Sequence, residues 1–253
     1  MIVAEALHKR FARPGAGRRA APLIAVESVS FTAEDGAVTG LLGPNGAGKS
    51  TTLRMLATLL RPDGGSARID GLDVAGDLLA VRRRLGFMPH DAGVYPRLSA
   101  RENVHYYARL CGLDARTSRE RTGELIERLD MHGFADRRAA GFSQGQRTKV
   151  ALARALVHRP RTIMLDEPTN GLDVMATRGL RGIIADLAAD GHCILFSSHV
   201  MQEVSALCDT IAIIAEGRVA MVDTLAGILA RTAREDLEDA FVVATKSRPG
   251  SDT

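Results

Sequence analysis

The stretch "AVTGLLGPNGAGKSTTLRMLATLL", Ala37 to Leu60, places an apolar run before a glycine loop and a helical pattern after it. At its centre, Gly43-Pro44-Asn45-Gly46-Ala47-Gly48-Lys49-Ser50-Thr51 has the spacing G-x-x-x-x-G-K-[ST]. Glycines at these positions let successive backbone amides curl around phosphate oxygens, and the amino terminus of the following helix adds a favourable dipole. Lys49 neutralises phosphate charge, and the Ser50 hydroxyl is suited to Mg²⁺. A chance glycine turn would lack the strand and helix in register on either side. The stretch therefore predicts a phosphate-binding loop at the carboxyl end of a core strand.

Outward from that loop, further apolar runs end in polar residues: "TIMLD" after Arg161, "CILFSS" after His192 and "TIAIIA" after Asp209. Their alternation with helical patterns predicts an α/β fold with a mostly parallel sheet covered by helices. Between Pro89 and Ala140 helical periodicity replaces the strands. Ser99-x-x-Glu102 is a capping box there and "GELIERLDM" belongs to a second helix, so this segment reads as an all-α insertion. After Gly217 a strand-like "RVAMV" leads to a charged helical tail, "EDLEDAFVVATK".

The composition bounds the function classes. A chain of 253 residues with 45% hydrophobic and 25% charged residues can bury a large core, and no apolar run approaches the roughly eighteen residues that cross a bilayer. The opening residues "MIVAEALHKRF" lack the pattern of a secretory signal, which predicts a cytoplasmic protein. Cys111, Cys193 and Cys208 have no metal-ligand spacing and fit free thiols in a reducing compartment. A net charge of +3 is small for this length, so no nucleic-acid partner is expected. The one basic cluster, His8 to Pro22, reads as a mobile loop that interrupts two strand-like runs.

Three further positions carry candidate chemistry. "TIMLDEP" sets Asp166 and Glu167 at the carboxyl end of a strand, where open α/β sheets bind ligands. Asp166 suits Mg²⁺ coordination through water, and Glu167 suits proton removal from an attacking water. "ILFSSHV" places His199 just past another strand end, so a lysine, two acids and an imidazole converge on one sheet edge. Finally, "FSQGQRTKVALARAL", Phe142 to Leu156, opens with Ser143-x-x-Gln146, which by itself reads as a capping box at a helix start.

The order of phosphate loop, "FSQGQ", "LDEP", "NGLD" and "SSH" resembles the ATP-binding cassette of ABC transporters, over nearly the whole chain. That resemblance implies an ATPase with ATP and Mg²⁺ as cofactors, Lys49, Glu167 and His199 as catalytic residues, and Ser50 and Asp166 at the metal. It implies that Ser143, Gln144, Gly145 and Gln146 bind the γ-phosphate held by a second copy of the chain, and that the loop from Asn170 to Asp173 crosses the dimer interface. The helix-start dipole would then also act in trans. The expected domains are a P-loop, RecA-like ATP-binding core over residues 1–88 and 141–222 with a small antiparallel β region, a helical subdomain over 89–140 and a helical tail over 223–253.

Three departures accompany the resemblance. Phe142-Ser143-Gln144-Gly145-Gln146 stands where Leu-Ser-Gly-Gly-Gln is usual. His90 replaces a glutamine that touches Mg²⁺ and reports to the membrane subunit; magnesium prefers oxygen ligands, so His90 acts through water or in coupling. Phe11 takes the place of the aromatic that stacks on adenine. A cassette without a membrane span implies a separate transmembrane permease and a position on the inner face of the cell membrane. "EPTNGLDV", "FSSHVMQEV" and "DLEDAFV" resemble the single-cassette subunits of ABC-2-type exporters, including sodium-export systems; the alternative is a non-transport cassette ATPase acting on ribosomes or nucleic acid.

Overall fold

The computed structural model describes residues 1–13 and 21–246. Two long antiparallel strands, β1 (Ile2–Phe11) and β2 (Leu23–Ala33), pair from Ile2 opposite Ala33 to Phe11 opposite Leu23. Next come β3 (Val38–Leu42), α1 (Lys49–Leu56), β4 (Gly64–Ile69), β5 (Leu72–Asp73), α2 (Leu78–Arg84) and β6 (Leu85–Met88). Two helices, α3 (Ala100–Leu110) and α4 (Ala115–Arg128), and two short 3₁₀ turns precede α5 (Gln144–Leu156). The remainder is β7 (Thr162–Asp166), α6 (Val174–Ala189), β8 (Cys193–Ser198), α7 (Met201–Leu207), β9 (Thr210–Ala215), β10 (Arg218–Asp223), α8 (Leu225–Thr232) and α9 (Leu237–Lys246).

The strands lie in the order β5-β4-β1-β2-β10-β9-β3-β8-β7-β6. From β9 to β6 every pairing is parallel, which requires crossovers on both faces. Those strands are accordingly mostly apolar: β3 and β7 are buried along their full length, and so is β8, with polar residues gathered at the carboxyl ends of β7 and β8. From β5 to β2 the pairings are antiparallel. The two halves meet where Arg218 of β10 pairs with Ser28 of β2. The α/β fold expected from the alternating pattern is thus the fold adopted, with an antiparallel region beside the parallel strands.

Two apolar cores flank the sheet. On one face Leu53, Met55 and Leu56 of α1 pack with Ile2, Leu7 and Leu195. On the other, Val104, Leu125 and Ile126 of the helical pair share a core with Val150 and Leu156 of α5 and with Leu165 and Phe196. Because α5 belongs to both the helical layer and the sheet's cover, its amino terminus is held relative to the strand ends.

Two elements differ from the sequence expectation. The helical pattern to Leu60 stops early: α1 ends at Leu56, Thr58 takes a left-handed φ of 61°, and the amides of Leu59 and Leu60 turn back to the Arg54 carbonyl. The turn is a Schellman closure, in which the amide of left-handed Thr58 donates to the Met55 carbonyl at 3.1 Å and that of Leu59 to the Arg54 carbonyl at 2.9 Å, ending the helix before Pro62. The supposed basic loop from His8 is strand as far as Phe11, because Asp63 pairs with Lys9 at 3.0 Å and accepts from the Arg10 amide at 2.9 Å. The part of that segment at 14–20 lies outside the described residues, as do residues 247–253 of the tail. Within the described tail, Ile228, Leu237, Ala240 and Ala244 are buried against the main core.

Candidate functional site

The glycine loop leaves β3 under close constraint. A β-carbon on Gly43 would lie 2.2 Å from the Ile214 carbonyl oxygen, so only glycine lets the loop pass β9. Gly48 has φ 102°, and a β-carbon there would lie 2.6 Å from the Ala25 carbonyl. Gly48 also caps α1 without any side-chain oxygen, which leaves the first amides of the helix for an anionic ligand.

Lys49 curls back over this loop. Its buried Nζ donates to the carbonyls of Gly43 at 2.6 Å and Pro44 at 3.2 Å, and lies 3.3 Å from Glu167 Oε1. A cavity of about 340 Å³ opens here, lined by Phe11, Ile24, Gly46, Lys49, Thr51 and Glu167 among others. The cavity has an apolar aromatic wall at one end and an ammonium with free amides at the other, which matches a base joined to phosphates.

The adjacent acids at the end of β7 face different partners. Asp166, 1% exposed, accepts from Ser50 Oγ at 3.2 Å and Ser197 Oγ at 2.7 Å. Glu167 has a left-handed φ of 49°, held by its amide donating to the Ser197 carbonyl and hydroxyl at 3.1 and 3.0 Å. That twist turns the carboxyl group away from Asp166, toward Lys49 and toward His199 Nδ1 at 3.1 Å from Oε2. Ser50 and Asp166 form a pair of hard oxygen donors of the kind Mg²⁺ takes, with water and phosphate completing its shell. No group of three or more His, Cys, Asp or Glu able to hold a metal occurs among the described residues.

The second set of expected residues lies apart. Ser143 Oγ accepts from the Gln146 amide at 3.3 Å and the Gln146 carboxamide accepts from the Ser143 amide at 3.1 Å, a complete capping box on α5. Ser143, Gly145 and Gln146 do not line the Lys49 cavity. Gln144 and the half-exposed His90 line a separate groove of about 540 Å³ with Glu167 and Asn170. His90 Nε2 lies 4.0 Å from Asp91. Asp173 caps α6 through the Ala176 amide at 2.8 Å, and a β-carbon on Gly145 would lie 3.3 Å from Ala176, which puts the Ser143 and Asn170–Asp173 loops side by side.

Sequence reasoning missed Ser197, which positions both acids, and a buried trio of Thr169, Ser198 and Glu203. Two serines ending an otherwise apolar strand beside an acidic strand end were the available signal. The cysteines stay outside this chemistry: burial pushes the Cys193 thiol up to about 11 and the Cys208 thiol up to about 12.

A parallel sheet whose strand ends gather a glycine loop, a lysine, two acids and an imidazole defines a P-loop nucleotide-binding ATPase. Residues 26–170 match the ABC transporter family, and the chain belongs to that family as an ATP-binding ATPase subunit. It is 43% identical to the ABC transporter ATP-binding protein NatA of Bacillus subtilis (strain 168), over 86% of this chain and 89% of the relative. It is 41% identical to the daunorubicin/doxorubicin resistance ATP-binding protein DrrA of Streptomyces peucetius, over 77% of this chain and 59% of the relative. A solved ATP-binding subunit of an ABC transporter superposes with TM-score 0.82 at 27% identity, covering 97% of this chain and 99% of that one. A dimeric ATP-binding cassette bound to ADP and Pi superposes with TM-score 0.79 at 25% identity, covering 89% of this chain and 99% of that one.

Proposed function

We propose that two copies of this chain close on two ATP molecules and drive export through a separate membrane permease. Lys49 and the α1 amides hold the β- and γ-phosphates, and Phe11 stacks on the base. Ser50 and Asp166 hold Mg²⁺, which neutralises charge on the phosphates. Glu167 takes the proton of the attacking water, while His199 orients that carboxylate and contacts the γ-phosphate. His90 and the helical segment pass the closure to the permease. The cargo, a sodium ion or a small hydrophobic compound in this reading, touches the permease rather than this chain. Such a subunit sits at the inner face of the cell membrane.

One observation carries the two-copy reading: the exposed Ser143 loop, with its helix-start amides, stands outside the cavity that Lys49 completes. A second copy brought face to face supplies the missing wall. Export is favoured because similar proteins are a daunorubicin/doxorubicin resistance ATP-binding protein and Nod factor export ATP-binding proteins. The reading is tested by light scattering on Glu167→Gln protein: Mg-ATP should double the mass and ADP should not. A mass unchanged by Mg-ATP, in protein that binds it, counts against closure on two nucleotides.

A further inference from the structure

Glu203 of α7 is an acidic side chain with 8% exposure that does not line the Lys49 cavity. Its Oε2 accepts from Thr169 Oγ1 at 2.5 Å and from Ser198 Oγ at 3.0 Å. Ser198 Oγ in turn accepts from the Val200 amide at 3.0 Å. Thr169 lies two residues past Glu167, and Ser198 immediately precedes His199. One carboxylate oxygen therefore joins the two segments that bring Glu167 and His199 within 3.1 Å of each other. The Thr169 carbonyl also accepts from the Leu172 amide at 3.1 Å, which links the same point to the Asn170–Asp173 turn.

Burying a carboxylate is costly unless donors surround it, so a Glu at this buried position calls for a use that an apolar residue could not serve. Packing alone is a poor explanation: Val204, the next residue, already fills the core on that turn. From this geometry we infer that Glu203 is a positioning residue for hydrolysis, fixing the His199 strand end and the turn after Glu167 at one spacing. It touches neither substrate nor the reacting atoms and acts through Thr169 and Ser198. A carboxylate displaced by an ångström costs on the order of a hundredfold in rate, whereas the phosphate loop that sets ATP affinity is built from other residues.

The inference rests on the hydrolytic reading of Glu167, and the test separates the two. Measure kcat and KM for ATP in the full chain carrying Glu203→Ala, Glu203→Gln, Thr169→Val, or Glu203→Ala with Thr169→Val, beside Glu167→Gln. Glu203→Ala and Thr169→Val should each lower kcat by about tenfold or more with KM within about twofold. Glu203→Gln, which keeps an oxygen acceptor for both hydroxyls, should restore most of the rate. The double variant should be no slower than the slower single one, because both changes remove the same link. If Glu167→Gln is inactive while Thr169→Val and Glu203→Ala turn over within about twofold of the unmodified chain, the positioning role is overturned alone. The same holds if kcat and KM change together or if Gln rescues nothing. Normal turnover in Glu167→Gln removes the hydrolytic reading and this inference with it.

Discussion

Lys49 Nζ and Glu167 Oε1 stand 3.3 Å apart beneath the glycine loop, so the cation suited to phosphate and the acid suited to water neutralise each other. Under the proposed function, a γ-phosphate that takes the ammonium would release the carboxylate, and binding would thereby prepare Glu167 as the base.

The first prediction follows from that pair. Glu167→Gln should keep ATP affinity or tighten it a few-fold, because an anion beside the phosphates is lost, while hydrolysis should fall by about 10²- to 10⁴-fold. Glutamine also preserves the side-chain length that the left-handed backbone at this position carries. Phosphate release measured alongside equilibrium binding checks both halves. Near-normal turnover would remove Glu167 from the role of base.

His90 provides a contrasting case. It lines the 540 Å³ groove rather than the Lys49 cavity, and its nearest ionic partner is Asp91 at 4.0 Å. His90→Gln should therefore leave basal ATPase within several-fold and, in the presence of the permease, alter coupling more than hydrolysis. ATPase assays with and without the permease make the comparison. Loss of basal activity with unchanged nucleotide affinity would place His90 in the hydrolytic chemistry.

A stability prediction concerns His158. Burial pushes its pKa down, the carbonyl of Leu85 accepts from Nε2 at 3.0 Å, and Arg121 adds a repelling positive charge. A carbonyl only accepts, so Nε2 carries the hydrogen and Nδ1 faces the Cys111 thiol at 3.8 Å as an acceptor. Because the folded pKa lies below the unfolded one, the unfolded chain binds more protons near pH 6, and stability rises with pH in that range. The contribution is fully present above the ordinary imidazole value of about 6.5 and is lost as pH falls from there through the lower folded value. Urea unfolding from about pH 5 to 7.5 should show this slope, and His158→Gln should make it shallower. An identical slope in the variant would remove His158 as the cause.

Local signals carried the parallel half of the fold and the nucleotide loop, because β3, α1 and β7 each announce themselves within a dozen residues. The antiparallel half was less legible: Lys9 and Arg10 look like loop residues until Asp63, fifty-odd positions away, is seen to pair with them. Separation in sequence also hid Ser197 and Glu203, whose meaning lies in partners 31 and 34 residues earlier. Separation of the Ser143 loop from the Lys49 cavity was also invisible in periodicity alone, since a capping box reads alike whether or not its amides serve a ligand.

The last prediction concerns that separation. Lys49→Ala removes the phosphate cation, and Ser143→Arg fills the second loop with a bulky side chain; each variant alone should be nearly inactive. If every ATP site joins the Lys49 loop of one copy to the Ser143 loop of the other, a mixed dimer collects both defects in one site. Its other site then has an intact Lys49 and an intact Ser143. Mixing the two purified variants, with the permease present where subunit exchange needs it, should restore part of the phosphate release. Sites built within one chain would leave every copy defective, and mixing would restore nothing. Ser143→Arg also removes the hydroxyl that caps α5, a loss of about 1 kcal/mol, but leaves the α5 core of Val150, Leu152 and Leu156 in place, so a thermal unfolding midpoint lowered by only a few degrees should assign its inactivity to the loop. Activity no higher than the sum of the separate variants, in a sample shown to contain mixed dimers, would leave Ser143 as a helix cap and nothing more.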